Sequence, residues 1–207
     1  MQFRESETKK NLMRAFAGES QARNRYTFAA GVAKKNNLYL IEQVFRFTAD
    51  QEKEHAEIFY NHLKELTGET IFIDGGYPVD LSEKVEDLLR FAQHNEYEEF
   101  SDAYPHFAEV AKAEGFEAVA YSFSQIAKIE KNHGDRFGFY ASLMEEGKLF
   151  SGKEMPWLCL NCGHLHEGES APTACPVCQH AQGYFLRICQ APYTEKEMLS
   201  LLTKQYQ

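Results

Sequence analysis

The chain has 207 residues, 43% of them hydrophobic, with 16 Phe and 11 Tyr. This length and composition suit a packed medium-sized domain plus a small one and exclude a disordered chain. The formal net charge is -9, and without a basic patch we expect no nucleic-acid partner. The sequence shows neither a signal peptide nor an apolar run of membrane length, so we expect a cytoplasmic protein with no membrane partner.

The first half of the chain predicts two long helices, because apolar residues recur there every three to four positions. The first helix is expected to begin near Ser6 or Thr8 and to end at residue 36 or 37. The second is expected over residues 38–66. Together they predict an antiparallel helix pair.

A linker over residues 67–80 separates this pair from the next helices, and residues 71–73 are expected to form a short extended piece in it. Asp80 or Ser82 is expected to cap the third helix. Pro105 falls within that helix, and because proline lacks an amide hydrogen it predicts a kink or a break there.

A Glu-x-x-His motif occurs twice, as Glu52 with His55 in the second helix and as Glu130 with His133 in a fourth helix predicted over residues 116–146. Residues three apart on a helix are separated by about 4.5 Å of rise and about 60° of rotation, so each pair can reach the same gap between helices. Carboxylate and imidazole groups in this pattern predict metal ligands.

Single glutamates stand at matching places in the other two helices, Glu19 in the first and Glu96 in the third. One Glu from each of two helices and a Glu-x-x-His from each of the others is the ligand pattern of di-iron and di-manganese four-helix bundles. Glu99 adds a carboxylate on the face of Glu96. The alternative is a solvated acidic face, which predicts polar neighbours. Apolar residues such as Phe47 and Ile129 stand near the glutamates instead, and this disfavours it.

Two Cys-x-x-Cys motifs, Cys159 with Cys162 and Cys175 with Cys178, are separated by twelve residues. Without an export signal, this spacing favours one four-cysteine metal site over disulfides. Tetrahedral sulfur suits iron and zinc alike, so the metal stays open. Cys189 lies outside the pattern and is expected to be a free thiol.

Several stretches together resemble rubrerythrins. They are AFAGESQARNRY at residues 15–26, the EKEH motif at 52–55, Tyr104 with Pro105, and the CPVC motif at 175–178. The resemblance covers nearly the whole chain and implies a mainly α fold, with a ferritin-like four-helix bundle followed by a small rubredoxin-like domain. The expected divisions are a di-iron bundle over 1–147, a linker over 148–156, a rubredoxin-like domain over 157–187, and an extension with a short helix over 188–207.

The resemblance also implies how two non-haem irons would be held in the bundle. Two glutamates would bridge the irons, and each iron would have ligands of its own. The bridging pair is Glu52 and Glu130, one iron takes Glu19 with either Glu99 or His55, and the other takes Glu96 with His133. Tyr26 and Tyr104 would hydrogen-bond the carboxylates and hold them in position. Glu99 and His55 would exchange as the iron changes oxidation state.

By the same resemblance, the chain would be a peroxidase that reduces hydrogen peroxide to water and protects against oxidative stress. A third iron at the four cysteines would pass on electrons from a rubredoxin or an NAD(P)H-linked reductase. A homodimer or larger homo-oligomer is expected, with exchange of helix pairs between subunits through the long linker as a further option.

Two other functions stay open at this point. The first is a ferritin-type ferroxidase or iron-handling protein that uses the same carboxylates. The second is an interaction protein in which the cysteine domain is a zinc ribbon and the metals of the bundle are structural. The additional Glu99 and the attached four-cysteine domain disfavour the iron-handling function, and seven coherent ligands disfavour a purely structural role of the metals.

Overall fold

The computed structural model describes residues 2–151 and 156–191. It consists of a helical bundle followed by a small three-stranded domain, which confirms the predicted mainly α, ferritin-like architecture with a four-cysteine unit. Within these residues, no helix is long and apolar enough to cross a membrane. The predicted short helix near the C-terminus lies outside the described residues.

The first helix pair consists of α1 (Glu7–Lys35) and α2 (Tyr39–His62). Ser6 caps α1, because its side chain accepts a hydrogen bond from the amide of Lys9, one of the donors that a helix start leaves unpaired. The second helix ends four residues before the predicted position, since the chain tightens into a 3₁₀ turn over Lys64–Leu66.

The linker after α2 forms neither a helix nor a strand between residues 69 and 82. The extended piece expected at residues 71–73 is not a strand, and Phe72 in it is 86% exposed. The predicted caps of the third helix are also wrong, because α3 begins at Val85. Asp80 instead receives hydrogen bonds from Arg25 and Asn95, which ties the end of the linker to two helices.

The third helix continues through an irregular turn. It consists of α3 (Val85–Glu98), a π-helical segment (Glu99–Ala103) and α4 (Tyr104–Ala113). The interruption therefore precedes Pro105, which lies in the first turn of α4, where a missing amide hydrogen costs little. The wide turn begins at Glu99, and such turns are frequent at functional sites.

The last bundle helix, α5 (Glu117–Glu145), packs against α3 and α4. Gly115 and Gly147 flank it with positive φ of 89° and 64°, a conformation that glycine adopts without strain. The bundle core forms two apolar clusters. One surrounds Tyr26, Phe45 and Phe137, and the other surrounds Phe59, Tyr104 and Phe123. The predicted ligands lie between these clusters in sequence on each helix.

The small domain is an antiparallel sheet in the order β2-β1-β3, with β1 (Trp157–Cys159), β2 (Leu165–His166) and β3 (Phe185–Arg187). Its centre is apolar, and Trp157 and Phe185 are fully buried there. So small a core contributes limited stability by itself, which makes a bound metal the expected support for this fold.

The sheet domain packs on the end of the bundle where α1 joins α2. The rings of Tyr184 and Tyr39 stack with centroids 4.4 Å apart, and Leu186 joins the nearer apolar cluster of the bundle. Gly183 allows this approach, because a Cβ atom there would lie 1.6 Å from the carbonyl oxygen of Asn37. The domain is thus seated by direct backbone contact.

Candidate metal centres

Six of the predicted ligands converge from four helices into one buried layer of the bundle. Each has at most 5% of its surface exposed. Glutamates and histidines separated by three residues face the same gap because of the helical period, and bundle packing brings the four faces together. The residues are Glu19 on α1, Glu52 and His55 on α2, Glu96 on α3, and Glu130 and His133 on α5.

The two bridging candidates each face both histidines. Glu130 lies 2.9 Å from Nδ1 of His55 through Oε1 and 2.8 Å from Nδ1 of His133 through Oε2. Glu52 lies 3.1 Å from Nδ1 of His55 through Oε2 and 2.9 Å from Nδ1 of His133 through Oε1. Each carboxylate thus presents one oxygen to each half of the site, which is the arrangement that a bridging ligand requires.

The other two glutamates each belong to one half. Oε2 of Glu19 lies 3.9 Å from Nδ1 of His55, and Oε2 of Glu96 lies 3.7 Å from Nδ1 of His133. Potential ligand atoms therefore form two groups, each within 4.8 Å, that share Glu52 and Glu130. This geometry gives two adjacent positions of similar composition, each with three carboxylates and one imidazole.

Unpaired atoms in this layer show that the donor set fits metal cations. Both oxygens of Glu130, Oε2 of Glu19 and of Glu96, Oε1 of Glu52 and Nδ1 of His133 are buried without a hydrogen-bond partner. Buried carboxylates without compensation are unfavourable. Two divalent cations would offset this charge and take oxygen and imidazole ligands of the kind present. The site therefore fits a di-iron centre.

The unfavourable burial of charge in the metal-free site also shifts the pKa values of the ligands. Burial, together with the charges of Glu130 and Glu52, raises the pKa of Glu19 well above its ordinary value. Burial would lower the pKa of His133, but the carboxylates of Glu130 and Glu52, 2.8 and 2.9 Å from its Nδ1, outweigh burial and raise that pKa to about 12. The same competition raises the pKa of His55 to about 9. Protons on the imidazoles thus hold the carboxylates together where metals would otherwise do so.

The two predicted tyrosines lie beside the ligands that they were expected to hold. The hydroxyl of Tyr26 donates to Oε1 of Glu96, and that of Tyr104 donates to Oε1 of Glu19. Burial raises the pKa of both phenols well above the usual range, so they stay protonated donors. Because each tyrosine binds Oε1, Oε2 of Glu96 and Oε2 of Glu19 remain on the side of the histidines.

Glu99 is near this layer but does not join either group of ligand atoms. It starts the π-helical segment and is partly buried. Burial, followed by the charges of Glu96 and Glu130, raises its pKa well above the ordinary value. His55 occupies the ligand position that Glu99 was expected to share with it. The exchange of the two ligands stays a prediction.

Sequence reasoning missed a chain of contacts behind His133. Its Nε2 lies 3.1 Å from Oε1 of Gln51, and that oxygen also accepts a hydrogen bond of 3.1 Å from Arg136. Arg136 donates a second bond to Thr48. If Nε2 carries the hydrogen, Nδ1 is left to bind metal, so Gln51 sets the tautomer of the ligand. Their places in the sequence could have indicated this, because Gln51 directly precedes Glu52 and Arg136 follows His133 by three residues.

The apolar residues that neighbour the ligands in sequence differ in their exposure. Phe59 and Ile126 are buried, whereas Phe47 is 57% exposed and Ile129 is 36% exposed. Both lie on outward positions of their helices. Phe47 instead lies under the guanidinium of Arg136, 5.0 Å from the ring centroid.

The four cysteines of the sheet domain also meet, with all four sulfur atoms within 4.8 Å. The Sγ atoms of Cys159 and Cys178 are 3.8 Å apart, and those of Cys162 and Cys175 are 3.6 Å apart. A backbone hydrogen bond from His180 lowers the pKa of Cys178 to about 6, which favours the thiolate that metals bind. This tetrahedral sulfur set fits one iron, and equally fits zinc. Cys189 is exposed and outside this group.

The two Cys-x-x-Cys motifs of the four-cysteine site form turns with the same backbone hydrogen bonds. The amide of Cys159 donates to the carbonyl of His164, and that of Cys175 donates to His180. Residues with positive φ, Gly163 at 77° and Gln179 at 62°, close the two turns. The spacing of each Cys-x-x-Cys motif therefore places both sulfurs of a pair on one side of the metal position.

Comparison with known proteins agrees with both sites. The rubrerythrin family model matches residues 10–139, and the model of the rubrerythrin rubredoxin-like domain matches residues 157–186. A rubrerythrin of Clostridium perfringens is 47% identical over 182 residues, which are 87% of this chain and 93% of that protein.

Solved structures support the same fold. Fully reduced, all-ferrous nigerythrin superposes with a TM-score of 0.60 at 27% identity, covering 87% of this chain and 86% of that one. The bacterioferritin BfrA of Mycobacterium tuberculosis has a TM-score of 0.60 at 16% identity, covering 68% of this chain and 87% of that one, and thus shares the bundle fold. With family matches over both domains and close relatives over most of its length, the chain belongs to the rubrerythrin family.

Proposed function

We propose that the chain is a non-haem di-iron peroxidase that reduces hydrogen peroxide to water. The reaction consumes two electrons and two protons for each peroxide and yields two waters. The main support is the pair of adjacent ligand groups that share Glu52 and Glu130. A site with two metal positions matches a two-electron substrate, and the four-cysteine site of the same chain matches a one-electron carrier.

Each residue of the buried layer has a distinct role in this proposal. Glu52 and Glu130 would hold both metals, and His55 and His133 would each hold one of them. When bound, two ferrous ions would supply both electrons in one encounter with peroxide. Tyr26 and Tyr104 fix the terminal carboxylates so that one oxygen of each stays directed at a metal position.

Glu99 is proposed to act in two ways beside this centre. As a carboxyl group whose pKa is raised by burial and by the charges of Glu96 and Glu130, it is a candidate to donate a proton to a reacting oxygen. As an anionic ligand, it would replace His55 on the more oxidised metal, because ferric iron prefers hard anionic oxygen. Its position in a wide π-helical turn gives the backbone local room for this movement.

Electron delivery requires contact between the two kinds of site. Tyr39, at the start of α2, carries the docked sheet domain, and Glu52 lies 13 residues further along that helix, a separation of about 20 Å at the usual helical rise. This is long for efficient transfer within one chain. We therefore propose a homodimer or larger homo-oligomer in which the cysteine site of one subunit serves the bundle of another.

The electrons are proposed to come from a rubredoxin or an NAD(P)H-linked reductase. The role of this activity would be protection from oxidative stress in the cytoplasm. Exchange of helix pairs between subunits stays one way to build the oligomer. It is not needed to complete the metal site, since a single chain supplies all the residues of both ligand groups.

Stopped-flow spectroscopy tests the proposed activity. The protein would be loaded with iron anaerobically, fully reduced and mixed with one equivalent of hydrogen peroxide while the ferric-thiolate colour is followed. We expect the colour to return rapidly, and faster than with oxygen. A ferroxidase would instead respond faster to oxygen, and a zinc ribbon would give no colour. Either result would contradict the proposal.

Replacement of Glu99 tests its role in turnover. In Glu99→Ala we expect kcat to fall at least about tenfold while most of the metal stays bound, because the six other ligands of the bundle are intact. Asp102→Ala is a matched control, since Asp102 lies in the same π-helical segment but is exposed. Unchanged peroxide reduction in Glu99→Ala, with metal content measured by mass spectrometry, would refute the role.

A further inference from the structure

Part of the linker between α2 and α3 crosses α1 as a strap, which we define as residues 74–80. At one end, Arg14 on α1 pairs with Asp74 at 2.6 Å. At the other end, Asp80 pairs with Arg25 on α1 at 2.5 Å and accepts from Asn95 on α3 at 2.7 Å. The strap thus spans the stretch of α1 that contains Glu19.

The two ends of the strap differ in how firmly they are held. At the Asp80 end, the side chains of Asp80 and Arg25 are only 17% and 15% exposed. At the other end, the side chain of Asp74 is 91% exposed, and exposed ion pairs contribute little. Nε of Arg14 also donates to the carbonyl oxygen of Asp74 at 3.0 Å, again at the exposed surface. The Asp74 end is therefore held only by exposed contacts, and less firmly than the Asp80 end.

Tyr77 lies in the middle of the strap and covers α1 at Gly18. Its hydroxyl donates to the carbonyl oxygen of Arg14 at 3.0 Å. A methyl group added to Gly18 would lie 3.7 Å from Cε1 of Tyr77 and 4.0 Å from Oε1 of Glu99. The ring of Tyr77 and the carboxylate of Glu99 therefore lie on either side of the space that the absent side chain of Gly18 leaves free.

A cavity of about 250 Å³ fills the region beneath Tyr77, and its walls include Gly18, Glu99, Tyr104 and Phe107. It reaches the edge of the metal layer, because Tyr104 donates a hydrogen bond to Glu19 and Glu99 lies three residues after Glu96 at the start of the π-helical segment. The cavity therefore lies between the strap and the proposed centre.

A more open outer pocket of about 530 Å³ adjoins this cavity. The two share Arg14, Gly75, Gly76 and Phe107 in their walls. The shared residues lie at the weakly held end of the strap. A route from solvent thus enters beside the two glycines, passes Tyr77 and ends at Glu99.

We infer that Tyr77 is a specificity-determining residue, which admits hydrogen peroxide to the centre and excludes bulky organic hydroperoxides. This inference rests on the proposed peroxidase function and deepens it. A water molecule occupies about 30 Å³ in the liquid, so the cavity holds hydrogen peroxide with room to spare. An aryl hydroperoxide would need most of the cavity, and to enter from the outer pocket its ring would have to pass that of Tyr77.

The iron-loaded protein provides the test, with hydrogen peroxide and cumene hydroperoxide as substrates. Either one takes up two electrons and two protons, and the products are two waters or water plus the corresponding alcohol. In Tyr77→Ala we expect kcat/KM for cumene hydroperoxide to rise at least about tenfold, while the value for hydrogen peroxide stays within about twofold. In Tyr77→Phe, which keeps the ring, the ratio of the two should stay near that of the unchanged protein.

Two further variants sharpen the assignment. Phe72→Ala is the matched control, because Phe72 lies in the same linker, is 86% exposed and does not line the cavity. It should leave the selectivity unchanged. Gly18→Ala fits with ordinary contact distances and narrows the passage opposite Tyr77. It should therefore shift selectivity further toward hydrogen peroxide.

Anion binding to the oxidised protein gives a readout that needs no turnover. Benzoate carries an aryl ring and azide does not, so in Tyr77→Ala the association and dissociation rates of benzoate should rise together at unchanged Kd, while those of azide stay within about twofold. A change in the Kd of azide with unchanged selectivity would instead show a disturbed metal site and overturn the inference. A selectivity ratio within twofold of the unchanged protein in Tyr77→Ala would also overturn it. If no variant reduces any peroxide, the proposed function fails, and the benzoate rates alone decide the role of Tyr77.

Discussion

Once its bundle metals are removed, the protein should become less stable as the pH rises from 6.5 to 9. The cause is His55, whose pKa in the folded metal-free protein is about 9 against an ordinary value of 6.5. A raised pKa means that the native state holds the proton more tightly. Its contribution is therefore complete below pH 6.5 and is lost as pH rises through the folded pKa.

The size of the effect follows from the pKa difference of about 2.5 units, which corresponds to about 3 kcal/mol. The raised pKa values of Glu19 and His133 act in the same direction. Glu52, with a pKa lowered to about 2, contributes stability above its ordinary pKa of 4.5 and loses it only in acid. It therefore adds no slope in this range.

Urea unfolding followed by circular dichroism at 222 nm measures this slope, since the described α-helices belong to the bundle. The metal-free protein should lose at least about 3 kcal/mol between pH 6.5 and 9, because His133 adds a loss of its own to that of His55. His55→Gln should therefore lose roughly half of this pH dependence. His94→Gln is the control, because the His94 side chain is 70% exposed and pairs with Glu98 at the surface. A flat profile, or the same slope in His55→Gln, would refute the reasoning.

Three further changes should each affect one feature. Tyr104→Phe leaves Oε1 of buried Glu19 without its donor, so calorimetry should show a loss of about 1–3 kcal/mol. Gly183→Ala would place Cβ 1.6 Å from the oxygen of Asn37, so limited proteolysis should cut between the domains faster while 222 nm ellipticity is retained. Cys175→Ser should shift or weaken the ferric-thiolate absorption and leave the bundle iron content unchanged, and an absorption spectrum identical to that of the unchanged protein would contradict the four-cysteine assignment.

The helices and their ligands could be predicted because they depend on local features. Ser6 and Gly115 mark helix ends through capping and positive φ, and the Glu-x-x-His spacing follows the helical period. The start of α3 was mispredicted because Asp80 looks like a cap. Its carboxylate is used by Arg25 and Asn95 instead, which no local pattern indicates.

The sequence by itself determined the kinds of ligand and the faces that present them. It did so because spacing of three residues on a helix, and of Cys-x-x-Cys in a turn, fixes neighbouring side chains through backbone geometry alone. Only the tertiary structure decided that Glu52 and Glu130 each place one oxygen near His55 and the other near His133. It alone brought Gln51 behind His133 and Tyr77 over the cavity, because contacts between distant segments depend on how helices and linker pack.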